Sequence, residues 1–159
     1  MLELIIKGAV IGFGATALMD IWAFALHLLF AEAKPNWAPG GRWFYHLGSG
    51  RIFHEDIGKA QPYAHEKALG WTGHYAVGIL YGIILAGLAG PQWLATPTFI
   101  PAWILGIVTI GAGWFLMQPG MGLGWAASKT ANPRKVRLMN FAANTVFAIG
   151  LYGTALLLA

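Results

Sequence analysis

Apolar residues in this chain come in long runs rather than in the alternating patterns of a soluble core. Four stretches carry about 20 mostly apolar residues each, the length needed to cross a bilayer as a helix. They run from about 8 to 30, 71 to 90, 99 to 118 and 138 to 159. No other stretch is long and apolar enough. The pattern predicts an all-α fold: an integral membrane four-helix bundle in a single transmembrane domain, residues 1–159. Residues 31–70 and 119–137 form its two longer connections, and residues 91–98 a short uncharged turn.

Composition supports this. Hydrophobic residues make up 57% of the chain and charged residues only 10%, against about 25% charged in an ordinary soluble domain. The charges are too few to clothe a soluble fold of this size. Mean hydropathy is +0.59. With no cysteine, disulfides, thiolate metal sites and a thiol nucleophile are excluded. The first segment starts without an early positive charge, and Lys7 interrupts it. It reads as a retained helix rather than a cleaved signal.

Charge position sets an orientation. Nine of the ten Lys and Arg fall in the two longer connections. Positive charge is retained on the cytoplasmic side. Residues 31–70 and 119–137 are therefore expected in the cytoplasm and both termini outside it. The net charge of +4 belongs to this asymmetry, so nucleic acid is not an expected partner. Arg134, Lys135 and Arg137 precede the fourth span as a topology anchor suited to anionic lipid headgroups. Trp93 fits an interfacial aromatic belt. Gly8/Gly12 and Gly78/Gly82 are GxxxG pairs, which let helix backbones approach closely in lipid. They suit packing within the bundle, or association with a second copy or a membrane-complex partner.

The polar residues inside the apolar runs are the candidate chemistry. Asp20 stands in the first span, where an ionisable group costs about 2.5 to 3.5 kcal/mol to insert. It should face the interior and find a partner, His27 or His74. His27 shares its helical face, and Thr16, one turn back, can hydrogen-bond to it. Pro62 is placed to open the second helix. Glu66, Gly70, Gly73, His74 and Tyr81 then form one stripe. Asp20, His27, Glu66 and His74 make a polar cluster toward the cytoplasmic half, with Asp20 about 10 Å deeper than His27. The first connection, rich in aromatics, His and charge, is expected to be partly structured. It should lie against the membrane surface with Trp37, Trp43, Phe44 and Phe53 as anchors, bringing His54 to cap the cluster.

Three readings compete for the cluster. The groups could satisfy one another and orient helices. His54, Glu66 and His74 could hold a metal ion, the one cofactor this set suits, since imidazole and carboxylate are apt ligands for zinc or iron. They could also serve a proton or solute path. Neither His54-Glu55-Asp56 nor His65-Glu66 continues to the second His of HExxH. Gly120, Gly122 and Gly124 lack Walker spacing. Pro119 is expected to kink or end the third helix.

Several of these pieces together resemble a bacterial inner-membrane family known only as a domain of unknown function. They are Ala15-Thr16-Ala17-Leu18-Met19-Asp20, Gly41-Arg42-Trp43, Phe53-His54, Leu69-Gly70-Trp71 with His74-Tyr75, and Met117-Gln118-Pro119 with Gly122 and Gly124. Ala127-Ser128 and Asn132-Pro133 extend the likeness over almost the whole chain. The resemblance implies a four-helix membrane protein and no particular activity. It draws attention to Asp20, Trp43, His54, His74, Gln118 and Asn144; the family pattern implies His where Asn144 stands. Whether the protein is an enzyme is left open. The expected function is that of a small inner-membrane protein, a transport-related or accessory subunit. The alternatives are a metal-binding protein or enzyme built on the same residues, and a lipid-associated structural protein.

Overall fold

A computed structural model describes all residues from Met1 to Ala159. It contains five helices and no strand: α1 (Leu2–Phe30), α2 (Ala38–Gly48), α3 (Glu66–Ala95), α4 (Phe99–Gly120) and α5 (Pro133–Leu157). All but α2 are long and apolar enough to cross a membrane. The all-helical, four-span architecture is therefore as the hydrophobic pattern predicts.

The ends differ from the expectation, for local reasons. α1 begins at Leu2 and α5 at Pro133, each ahead of its apolar run. Pro133 occupies the first turn of α5, where its missing N–H costs nothing. The Asn132 side chain caps that turn by accepting from the Lys135 amide at 3.1 Å. α3 starts at Glu66, so Pro62 lies outside it. The Glu66 carboxylate instead reaches back to accept from the Tyr63 amide at 3.2 Å. α3 breaks at Gly90, whose φ of 78° is one that glycine adopts without Cβ strain. Pro91 follows, and a last helical turn runs on to Ala95. α4 widens into a π turn over Gly113–Met117 and stops at Gly120, one residue past Pro119.

The chain forms two compact units. The first comprises Met1–Pro35, Tyr75–Val108 and Ala142–Ala159. Its core includes Ile11, Ala15, Leu85, Ala86, Phe147 and Leu151. Small residues sit where its helices meet. A Cβ on Gly12 would strike the backbone of Gly78 and Ile79, and one on Gly82 would strike Gly8 and Gly12. The two GxxxG pairs therefore face each other across the α1–α3 contact. Similarly, Gly150 of α5 lies against Ala15 of α1, and Gly106 of α4 against Ala148 of α5. Trp93 is also buried here, and its indole donates to the Thr98 carbonyl at 3.0 Å. It pins the α3–α4 turn. Outward-facing Phe13, Ile21, Leu88, Val108 and Ile149 are well exposed. Exposed apolar side chains on this scale would drive a soluble protein to associate; on a membrane protein they face lipid.

The second unit comprises Asn36–His74 and Thr109–Phe141. It contains α2, whose Trp43 is 4% exposed. Trp43 thus fills this unit's interior instead of anchoring at a surface, because its indole N–H is held by the Ile52 carbonyl at 2.8 Å. Phe53, by contrast, is exposed.

Candidate functional site

In the first unit, Asp20 is 8% exposed, within a helix able to cross a membrane. Its carboxylate is hydrogen-bonded by the side chain of Tyr75, necessarily with the phenol as donor. Sequence reasoning noted Tyr75 only as part of a family motif. The signal was its place, next to His74 on the second span. Tyr75 is also in ring contact with Phe13 of α1, at 5.2 Å between centroids. Thr16 does not support Asp20 as expected: its hydroxyl donates to the Gly12 carbonyl at 2.8 Å, the usual back-bond of a helical threonine. His27 Nδ1 lies 2.7 Å from the Glu32 carbonyl, where α1 ends with Ala31 in the left-handed region. A carbonyl only accepts, so His27 carries its proton on Nδ1.

In the second unit, Glu66 and Arg42 form a two-pronged ion pair at 2.7 and 2.9 Å. Arg42 Nη1 also lies within 2.9 to 3.2 Å of the carbonyls of Ile57, Gly58 and Ala60. One guanidinium thereby ties α2 to the start of α3 and to the turn between them. Planar, multi-donor geometry of this kind is particular to arginine.

His46 and His54 form a buried pair that was not foreseen. His46 Nδ1 and His54 Nε2 are 2.7 Å apart, and His54 Nδ1 is 3.0 Å from the Gly120 carbonyl. The carbonyl end fixes the tautomers. His54 must donate from Nδ1, so its Nε2 accepts, and His46 donates from Nδ1. Burial pushes the His46 imidazole below the usual histidine range, and the positive charge of Arg51 and Arg42, with that of His54 whenever it is protonated, adds to this. Backbone contacts hold the segment in place. The amides of His54 and Ile57 donate to the carbonyls of Gly120 and Met121 at 2.9 and 3.0 Å. Gly122, at φ 86°, lies so close to the Glu55 carbonyl that a Cβ would collide with it.

His74 stacks on Trp37 with ring centroids 4.0 Å apart, and Trp71 meets it edge-on at 6.0 Å. Asn140 Oδ1 accepts from both Trp114 Nε1 and Gln118 Nε2, each at 2.9 Å. Asn144 also has a polar or ring contact of its own. At the start of α5, Arg134, Lys135 and Arg137 are exposed, and Arg137 Nε donates to the Ala126 carbonyl at 2.8 Å.

Of the residues singled out from the sequence, Asp20 meets Tyr75, His27 the Glu32 carbonyl, Glu66 meets Arg42, His54 meets His46, and His74 meets two indoles. No three His, Asp or Glu side chains converge as a metal-ligating group.

Fold and side chains together define an all-helical membrane protein with four helices able to span and a buried carboxylate in the first of them. The chain belongs to the family described as protein of unknown function, DUF2938, which matches residues 9–158. No curated protein and no solved structure matches it.

Proposed function

We propose that the protein is a multi-pass component of the bacterial inner membrane, transport-related or accessory to a transport complex, in which Asp20 and Tyr75 take up a proton or a small polar solute. The supporting observation is Asp20 itself. A carboxylate in a spanning helix is costly, and such groups mark proton relays and substrate paths. A tyrosine hydroxyl donating to it sets a hydrogen-bond donor beside the buried carboxylate. Orientation follows from the charge asymmetry, with residues 31–70 and 119–137 in the cytoplasm and both termini outside. The exposed Arg134, Lys135 and Arg137 then meet anionic headgroups on that side.

The test is proton flux in liposomes holding the purified protein, alone and with the membrane fractions it co-purifies with. Asp20→Asn is expected to abolish the flux and Tyr75→Phe to reduce it. Proton flux equal to that of empty liposomes in every preparation would refute the proton reading.

A further inference from the structure

The side-chain network at the π turn of α4 leaves one acceptor with no protein donor. Trp114 Nε1 can only donate. The atom of Asn140 facing it at 2.9 Å must therefore be the oxygen, Oδ1. Gln118 approaches that same oxygen at 2.9 Å, so the amide nitrogen of Gln118 faces it. Turning the Gln118 amide over would set two carbonyl oxygens against each other. The indole thus fixes both amides, and the Gln118 Oε1 atom is directed away from Asn140. That oxygen is buried, and no protein group donates to it. A buried acceptor without a donor is costly, and native proteins rarely carry one without a reason.

The backbone at this point is also unusual, and its cause is in the sequence. Pro119 has no N–H, and its ring clashes with the carbonyl four residues back. The helix responds by widening: the Gln118 amide donates to the carbonyl of Gly113, five residues back, instead of the usual four. Single π turns of this sort occur frequently at functional sites.

We propose that Gln118 Oε1 is a binding site for a small hydrogen-bond donor, an O–H or N–H group, presented by the π turn of α4 with Trp114 and Asn140 as positioning residues. Two sources share that chemistry: water, and a small ammonium-type cation. The site shares no residue with the Asp20–Tyr75 pair, so either assignment can fail without the other.

The test reads the Gln118 carbonyl directly. The chain has three glutamines, Gln61, Gln92 and Gln118, and the first two are exposed. In the full-length protein carrying Gln61→Glu and Gln92→Glu, labelling glutamine with ¹³C at Cδ marks Gln118 alone. Isotope-edited infrared spectra of that protein in detergent micelles are recorded in sodium chloride and then in ammonium chloride. The expected result is a carbonyl band at the lowered frequency of a hydrogen-bonded amide. A band already lowered in sodium chloride and unmoved by ammonium identifies water. A further downshift in ammonium chloride identifies the cation. A band at the position of an unbonded amide in both salts would overturn the proposal.

Discussion

Arg42 and His46 stand four residues apart on α2 and respond to different variables. Arg42 serves one carboxylate and three carbonyls. Lysine could supply the charge but not the fork, so Arg42→Lys should lower stability, and Arg42→Ala should lower it further. Breaking a buried pair by removing one partner costs about 3 to 5 kcal/mol; this pair is only partly buried, which puts Arg42→Ala below that range. Thermal unfolding of the two variants beside the wild type checks the order. His46 responds to pH. Its folded-state pKa is lowered by burial and nearby positive charge, so the unfolded chain takes up a proton that the folded one resists. Stability from the neutral imidazole is complete above the unfolded histidine pKa of about 6.5 and is lost as pH falls toward the lower folded value. Unfolding measured from pH 7 down to 5 should show that decline, and His46→Asn should flatten it. At this scale the sequence was a partial guide. Asp20 was legible, since a lone carboxylate in an apolar run announces itself. Its Tyr75 partner was not, because a tyrosine in a span looks like any interfacial aromatic. Trp43 was misplaced for a related reason: hydropathy records that an indole is amphipathic but not which carbonyl holds its N–H.

Among the helices, the apolar runs were readable, and so was the polar start of α3 at Glu66; the polar start of α1 was not. α1 and α3 each extend more than a turn beyond the apolar run at their N-terminal ends, where Glu3, Lys7 and Glu66 interrupt the hydrophobic signal without interrupting the hydrogen bonds. α2 was hidden altogether within an expected loop, since eleven residues containing three glycines and a proline have poor intrinsic helix propensity. Packing onto its own unit overrides that propensity. The GxxxG pairs give a sharper test. A side chain at Gly12 has no room against Gly78 and Ile79, whereas one at Gly87 meets nothing within 4 Å. Gly12→Leu should therefore prevent stable folding. Gly87→Ala should be neutral or stabilising by up to about 1 kcal/mol, the propensity difference of a helix interior. Yield of monodisperse protein and its unfolding midpoint distinguish the two outcomes.

For the whole molecule, composition and run length were enough to place it in a membrane, because burying so apolar a surface in water is not an option for a chain of 159 residues. They could not place the side chains that meet through folding, such as His46 with His54 or Trp114 with Asn140 and Gln118. Those contacts depend on how helices rotate about their axes, which the hydrophobic pattern of a nearly all-apolar helix leaves undetermined. The orientation belongs to this scale as well. External labelling of tags at both termini should succeed in intact cells, while a cysteine introduced at Ser128 should be labelled only after the membrane is permeabilised. The reverse pattern would invert the topology.

Where Gly12 meets Gly78 and Gly8 meets Gly82, main chain rests on main chain. Such a junction has no rotamers to redistribute and no long side chains to act as ball bearings. It behaves mechanically as a weld. Asp20 and Tyr75 lie on the same two helices, a short distance along from that weld, so the spacing between their backbones is in effect constant. If the pair binds as proposed, bringing α1 and α3 closer together is closed to it. The moving part is then whatever the pair binds, or the tyrosine ring turning about its own bonds.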